Sequence, residues 1–100
     1  MSSEEILLET DKTKVRIIEL PAKAKTAWHY HTEVTDNCFC LEGNIEVHIK
    51  NPNQTISLKP GERCTIETGT IHRVANDINE KSKYLLVQGV GKYDFIESNL

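Results

Sequence analysis

An all-β sandwich or barrel is the fold class this sequence predicts, and three observations lead to it. Apolar runs are short and rich in β-branched residues. Gly, Pro, Asn and Asp interrupt them at roughly the eight- to twelve-residue spacing of successive short strands. Ile45, Val47 and Ile49 alternate with Asn44, Glu46, His48 and Lys50, the two-residue period of a strand with one buried and one solvated face. The 100 residues read as one domain, 1–100, with its core over about 14–89. By surface scaling a chain of this length buries about two thirds of its extended surface, enough for one modest core.

The elements follow in order. Ile6–Glu9 is a first short strand, Asp11-Lys12-Thr13 a turn, and Lys14–Leu20 the return strand, ended by Pro21, which has no N–H for a ladder. Ser3 to Glu9 also suits a helix start capped by Ser2 or Ser3, but only for about two turns before Thr10-Asp11. Ala24–His31 is the next strand. Asp36–Leu41 follows and runs into the tight-turn dipeptide Gly43-Asn44. Ile45–Lys50, Gln54–Leu58, Arg63–Ile66, Ile71–Ala75 and Lys83–Gly89 are further strands. Between them lie Asn51-Pro52-Asn53, Pro60-Gly61, a turn at Gly69 and the polar loop Asn76–Ser82. Gly91–Leu100 suits a short strand or a loose helical turn. The sum is about eight to eleven short strands and no long helix.

Composition excludes several classes of function. Twelve Lys and Arg against fifteen Asp and Glu give a net charge of −3, with both signs mixed along the chain. The basic footprint of a nucleic-acid binder is absent. No apolar run reaches the ~20 residues of a membrane helix. Met1-Ser2-Ser3-Glu4-Glu5 carries acid where a signal peptide carries base, so the expected location is the cytoplasm. Cys38, Cys40 and Cys64 match neither a redox pair nor a zinc-finger spacing, and read as buried thiols of a reducing compartment.

The chemistry gathers at histidines. His29 and His31 are two apart on a predicted strand. Both rings then project from one face, about 7 Å apart along the chain, and can close on one ion; alternatively, one of the pair simply meets solvent. Four residues separate His31 from Asp36, and six separate Asp36 from Gly43; downstream, Gly61 is followed by Glu67, Gly69, His72 and Asn76. In these two stretches the sequence resembles a small single-domain cupin. The family's motifs are written G-x5-H-x-H-x(3,4)-E-x6-G and G-x5-P-x-G-x2-H-x3-N. The resemblance covers Lys14 to Gly89. Lys23 stands for the first glycine, Glu67 for the proline and Asp36 for the glutamate.

The resemblance implies a double-stranded β-helix, or jelly-roll barrel, in which His29, His31 and His72 bind one divalent transition metal, with Asp36 in the place of a fourth ligand. Three imidazoles and a carboxylate suit Fe, Zn, Ni, Cu or Mn. Aspartate is shorter than glutamate, so Asp36 binds directly, binds through water, or only orients a histidine. Glu33 in the same loop is a rival carboxylate. Three functions are compatible with the resemblance: a metal-dependent dioxygenase-type oxidoreductase acting on a small molecule, a metal-dependent lyase or isomerase, and a non-catalytic small-ligand binder. A lyase or isomerase needs a positioned base. None is evident, since His48 lies on the polar face of its strand, and this favours the oxidoreductase.

Strand parity turns Cys38 and Cys40 inward with Asp36, and Cys64 inward with Ile66, where they are expected to serve as small apolar lining. Arg63 and Arg73 face outward. Tyr84 and Gln88 share one face of the last long strand, from which either could reach the pocket. Small cupins resembling this chain commonly pair through their sheets. Trp28, Tyr30, Phe39 and Leu41 lie opposite the metal-facing parity, so a homodimer is expected.

Overall fold

The computed structural model describes residues 3–99. Ten strands form: β1 (Ser3–Glu9), β2 (Thr13–Leu20), β3 (His29–Tyr30), β4 (Thr35–Glu42), β5 (Ile45–Ile49), β6 (Gln54–Leu58), β7 (Arg63–Ile66), β8 (His72–Ala75), β9 (Ser82–Gly89) and β10 (Ile96–Glu97). All pairings are antiparallel. One sheet has the order β1-β2-β9-β4-β7, the other β10-β3-β8-β5-β6. From β3 to β10 the chain crosses repeatedly between the two sheets, which is the expected double-stranded β-helix. The described residues contain no helix, and hence none long and apolar enough to cross a membrane.

The two sheets face each other across one core, and two-residue alternation decides what enters it. Ile18 and Leu20 on β2, Cys38 and Cys40 on β4, and Tyr84 and Leu86 on β9 pack against Ile45, Val47 and Val74 of the other sheet. The same inward parity continues to Arg16, Asp36 and Gln88 at one end of these three strands, and all three are buried. Registry makes them neighbours: Asp36 lies opposite Gln88, and Leu86 opposite Arg16, so Arg16 sits diagonally from Gln88. The barrel therefore has an apolar end and a polar end.

The strand expected over Ile6–Glu9 forms and extends to Ser3–Glu9, paired along β2 with a bulge at Leu7, and the helical alternative does not. Two turns are too short to hold a helix without a packed face, whereas the edge of β2 offers a ladder. The strand expected over Ala24–His31 narrows to His29–Tyr30 and a single bridge between Lys25 and Ala75. Thr26 interrupts it: its hydroxyl accepts from the Val74 N–H at 2.9 Å, in place of a backbone carbonyl.

A buried asparagine closes the apolar end. Asn76 Nδ2 faces the carbonyls of Leu20 (3.2 Å), Pro21 (3.0 Å) and Glu80 (2.7 Å), and its Oδ1 accepts from the Ser82 hydroxyl at 3.0 Å. Ser82 in turn accepts from Asn44 N–H beside Gly43, where φ is +79° and an added Cβ would meet Ser82 Oγ at 2.2 Å. Only glycine fits there. Asn76→Ala strands these buried acceptors and is expected to cost about 3 kcal/mol. Urea unfolding reads this as a lowered midpoint; a midpoint equal to the parent's would remove the role from Asn76.

Candidate metal centre

His29 on β3 lies directly opposite His72 on β8. His31 follows the end of β3, where its carbonyl accepts from Gly69 N–H at 2.8 Å. Asp36 projects from β4 in the opposite sheet. All four are buried, none more than 5% exposed, and one ligand atom from each lies within 4.8 Å of the others. The sequence-predicted set is thus brought together.

Each imidazole is aimed by a backbone carbonyl. Nδ1 of His29 is 2.7 Å from Ala27 O, Nδ1 of His31 2.5 Å from Asp94 O, and Nδ1 of His72 2.8 Å from Thr70 O. A carbonyl only accepts, so each Nδ1 donates and each Nε2 keeps its lone pair for the interior. There Asp36 Oδ2 sits 3.1 Å from His72 Nε2 and 3.2 Å from His31 Nε2. The second contact is off line, and His31 Nε2 is buried with no hydrogen-bond partner. Electron-rich atoms converging in a buried space call for a cation between them. The donor set, the orphaned Nε2 and the close spacing fit a divalent metal ion.

The electrostatics of His29 and Asp36 agree. Burial pulls the His29 imidazole down to about 4, helped by His72 and His31, so it stays neutral. Burial works against charge on His31 as well, but the Asp36 carboxylate and the Asp94 carbonyl outweigh it and raise its pKa above the usual value. Burial would likewise raise Asp36, yet His31, His72 and Gln88 hold it well below the usual carboxylate range. A carboxylate kept ionised beside imidazoles is a ready ligand.

Asp36 is supported from behind. Its Oδ1 accepts from Gln88 Nε2 at 2.9 Å, Gln88 Oε1 accepts from Arg16 Nη2 at 2.5 Å, and Arg16 Nη1 donates to Glu4 Oε2 at 2.9 Å. The tail adds aromatic walls: Phe95 stacks on His29 at 4.1 Å and 17°, and Tyr93 lies 5.6 Å from His31. A cavity of about 280 Å³ opens beside the cluster between these rings, Arg16, Ile18, Leu86 and Gln88. Sequence reasoning missed Arg16, Tyr93, Phe95 and Glu4. For Arg16 parity with Ile18 and Leu20 was no decisive signal, because Val15 and Ile17 make the other face of β2 equally apolar.

The other candidates lie elsewhere. Glu33 is exposed and its Oε1 accepts from Lys92 N–H at 3.1 Å, outside the cluster. His48 sits outside the barrel between Glu46 and Arg73. Arg63 is exposed, and Arg73 stacks over Trp28. All three cysteines are free. Cys38 and Cys40 belong to the core, and Cys64 packs against it. Burial pushes the Cys38 thiol far up and Cys64 to about 11, so both are protonated packing groups.

Comparison with known proteins agrees with this geometry. The Cupin_2 family, the cupin domain, matches residues 16–88, and the chain belongs to that family. No curated protein matches it. Among solved structures, an uncharacterised conserved protein with a double-stranded β-helix domain from Klebsiella pneumoniae is 22% identical. The match covers 99% of this chain and 85% of that one, with a TM-score of 0.85. The polyketide cyclase RemF from Streptomyces resistomycificus is 19% identical over 99% of this chain and 72% of its own, at 0.84. An oxalate oxidase in complex with glycolate is 15% identical over 96% of this chain and 54% of its own, at 0.83. At these identities the likeness is one of fold.

His31→Ala is expected to abolish stoichiometric metal in protein purified without a histidine tag, and with it the rise in Tm that metal gives by binding only the folded state. Asp36→Asn is expected to weaken metal binding about ten- to a hundredfold, and Glu33→Ala to leave it unchanged. Elemental analysis and calorimetric titration read all three; full metal content in His31→Ala would dismiss the site.

Proposed function

We propose that this cupin is a metal-dependent oxidoreductase of the dioxygenase type, acting on a small molecule in the cavity beside His29, His31, Asp36 and His72. One observation carries the reading: a cation-binding cluster adjoins a cavity in which the carboxylate outside the cluster, Glu4, is held by Arg16 and the Tyr93 ring lies under Lys14 and Arg16. Burial pushes the Tyr84 phenol far above its ordinary value, the Arg16 guanidinium offers only donors, and His48 faces away from the cavity. A lyase or isomerase would need a base there. The ion, when bound, supplies redox chemistry and open coordination positions, which suits iron, manganese or copper.

The chain's own residues do the rest. Three carbonyl-anchored imidazoles and the Asp36 carboxylate hold the ion, while Gln88 keeps that carboxylate turned toward it. Phe95 and Tyr93 screen the cavity from water, and Ile18 and Leu86 receive the apolar part of a substrate. The reading includes a reducing, cytoplasmic location, which the free thiols support. It also includes a homodimer, supported by exposed Leu41. Trp28 contributes less to such a contact than its parity suggested, since Lys50 and Arg73 both lie over its ring.

The test is oxygen consumption by protein loaded with iron, manganese or copper against a panel of small carbonyl, phenol and carboxylate compounds. Metal-dependent uptake, lost in His31→Ala, is expected. Turnover without oxygen, or binding without turnover, would overturn the reading in favour of a lyase or a binder. Light scattering at micromolar concentration is expected to give twice the chain mass, and the mass of a single chain would remove the dimer.

A further inference from the structure

Among the described residues Arg16 is the one permanent cation in the cavity wall, and the metal cluster does not account for it. It is 8% exposed. Burying a guanidinium is costly unless its donors are met. Gln88 takes Nη2 and a single Glu4 oxygen takes Nη1, while Nε is buried with no hydrogen-bond partner. The planar fork that binds a carboxylate through two parallel hydrogen bonds is therefore only partly filled.

Its partner Glu4 is a replaceable one. The Glu4 side chain is 47% exposed, and it stands on β1, an edge strand whose every residue is exposed. Returning that carboxylate to water costs little. Charge points the same way. With Glu4 turned to solvent, a divalent ion and Arg16 bring three positive charges against the one carboxylate Asp36, which favours an anion in the place of Glu4. The remaining wall is largely apolar, and about 280 Å³ equals the volume of about nine waters.

We infer that the cavity binds a small monocarboxylate with a compact apolar body, its carboxylate taking the place of Glu4 on Arg16 and its body lying against Leu86, Tyr93 and Phe95. This rests on the cavity being the substrate site proposed above, and it names the substrate's class. The body then lies beside the cluster, because Arg16 and Asp36 are separated only by the Gln88 side chain.

Calorimetric titration of the full-length, zinc-loaded protein with benzoate and its neutral isostere benzamide tests it. Benzoate is expected to bind at least about tenfold tighter than benzamide, the worth of a charge-assisted hydrogen bond. Glu4→Gln is expected to tighten benzoate several-fold and leave benzamide unchanged. Arg16→Met is expected to abolish the preference while zinc content stays stoichiometric. Equal or undetectable binding of the two compounds by the parent protein would overturn the inference. So would a preference that survives in Arg16→Met, since the carboxylate would then sit on the zinc. If Arg16→Met fails to fold by circular dichroism, Glu4→Gln decides: unchanged benzoate affinity refutes the displacement. The preference is expected to persist, weakened, in EDTA. Benzoate binding without oxygen consumption on any carboxylate would keep this inference and remove the oxidoreductase reading; oxygen consumption on neutral compounds only would do the reverse.

Discussion

The polar end of this barrel is organised by one buried negative charge, the carboxylate of Asp36. Taking an ionised carboxylate out of water costs several kcal/mol unless nearby groups restore what solvation gave. Here each oxygen is answered separately. Oδ1 receives the Gln88 amide, and Oδ2 faces the imidazoles of His31 and His72. The Gln88 amide can point only one way, because Arg16 only donates and Asp36 only accepts. The result is a continuous line of polar contacts from Glu4 at the surface, through Arg16 and Gln88, to the cation-binding cluster. Removing any interior member leaves a buried charge or donor without its partner.

The histidines answer to a different constraint. Their Nδ1 atoms are fixed by the carbonyls of Ala27, Thr70 and Asp94, so ring orientation is a property of the backbone. Two of those carbonyls lie two residues before their histidine. The third comes from the tail, and with Phe95 and Tyr93 it ties residues 93–95 to the wall of the cavity. The tail is thus part of the site, although the only regular structure among its described residues is the two-residue strand β10.

Much of this was legible in the chain. The alternation at Ile45–Ile49 and the regular turns pointed to the sheets, and strand parity put His29 and His31 on one face; Asp36 and His72 were joined to them only through the resemblance of their stretches to the cupin motifs. What was not legible is instructive. In β2, Val15 and Ile17 are as apolar as Ile18 and Leu20, so alternation does not say which face is inward, and Arg16 passes for a surface cation. Registry with Leu86, which only the folded sheet supplies, decides it. The tail's aromatic residues are set by where the chain crosses the barrel mouth, and no local pattern encodes that crossing. At Ala24–Trp28 a single threonine hydroxyl replaced a ladder bond, a substitution of partners that propensity does not register.

The contacts that complete the cluster are remote in sequence. His31 meets Asp94 across 63 positions, and Arg16 meets Gln88 across 72. Loop-closure entropy must be overcome before such contacts form, and topologies built on them fold slowly. An unfolded chain offers an ion little more than the pair His29 and His31, without Asp36 or the carbonyls that aim the rings. High-affinity capture therefore comes after the sheets have closed. An ion bound that late stabilises interactions absent from the folding transition state, so it acts on the rate at which the barrel opens and hardly on the rate at which it assembles.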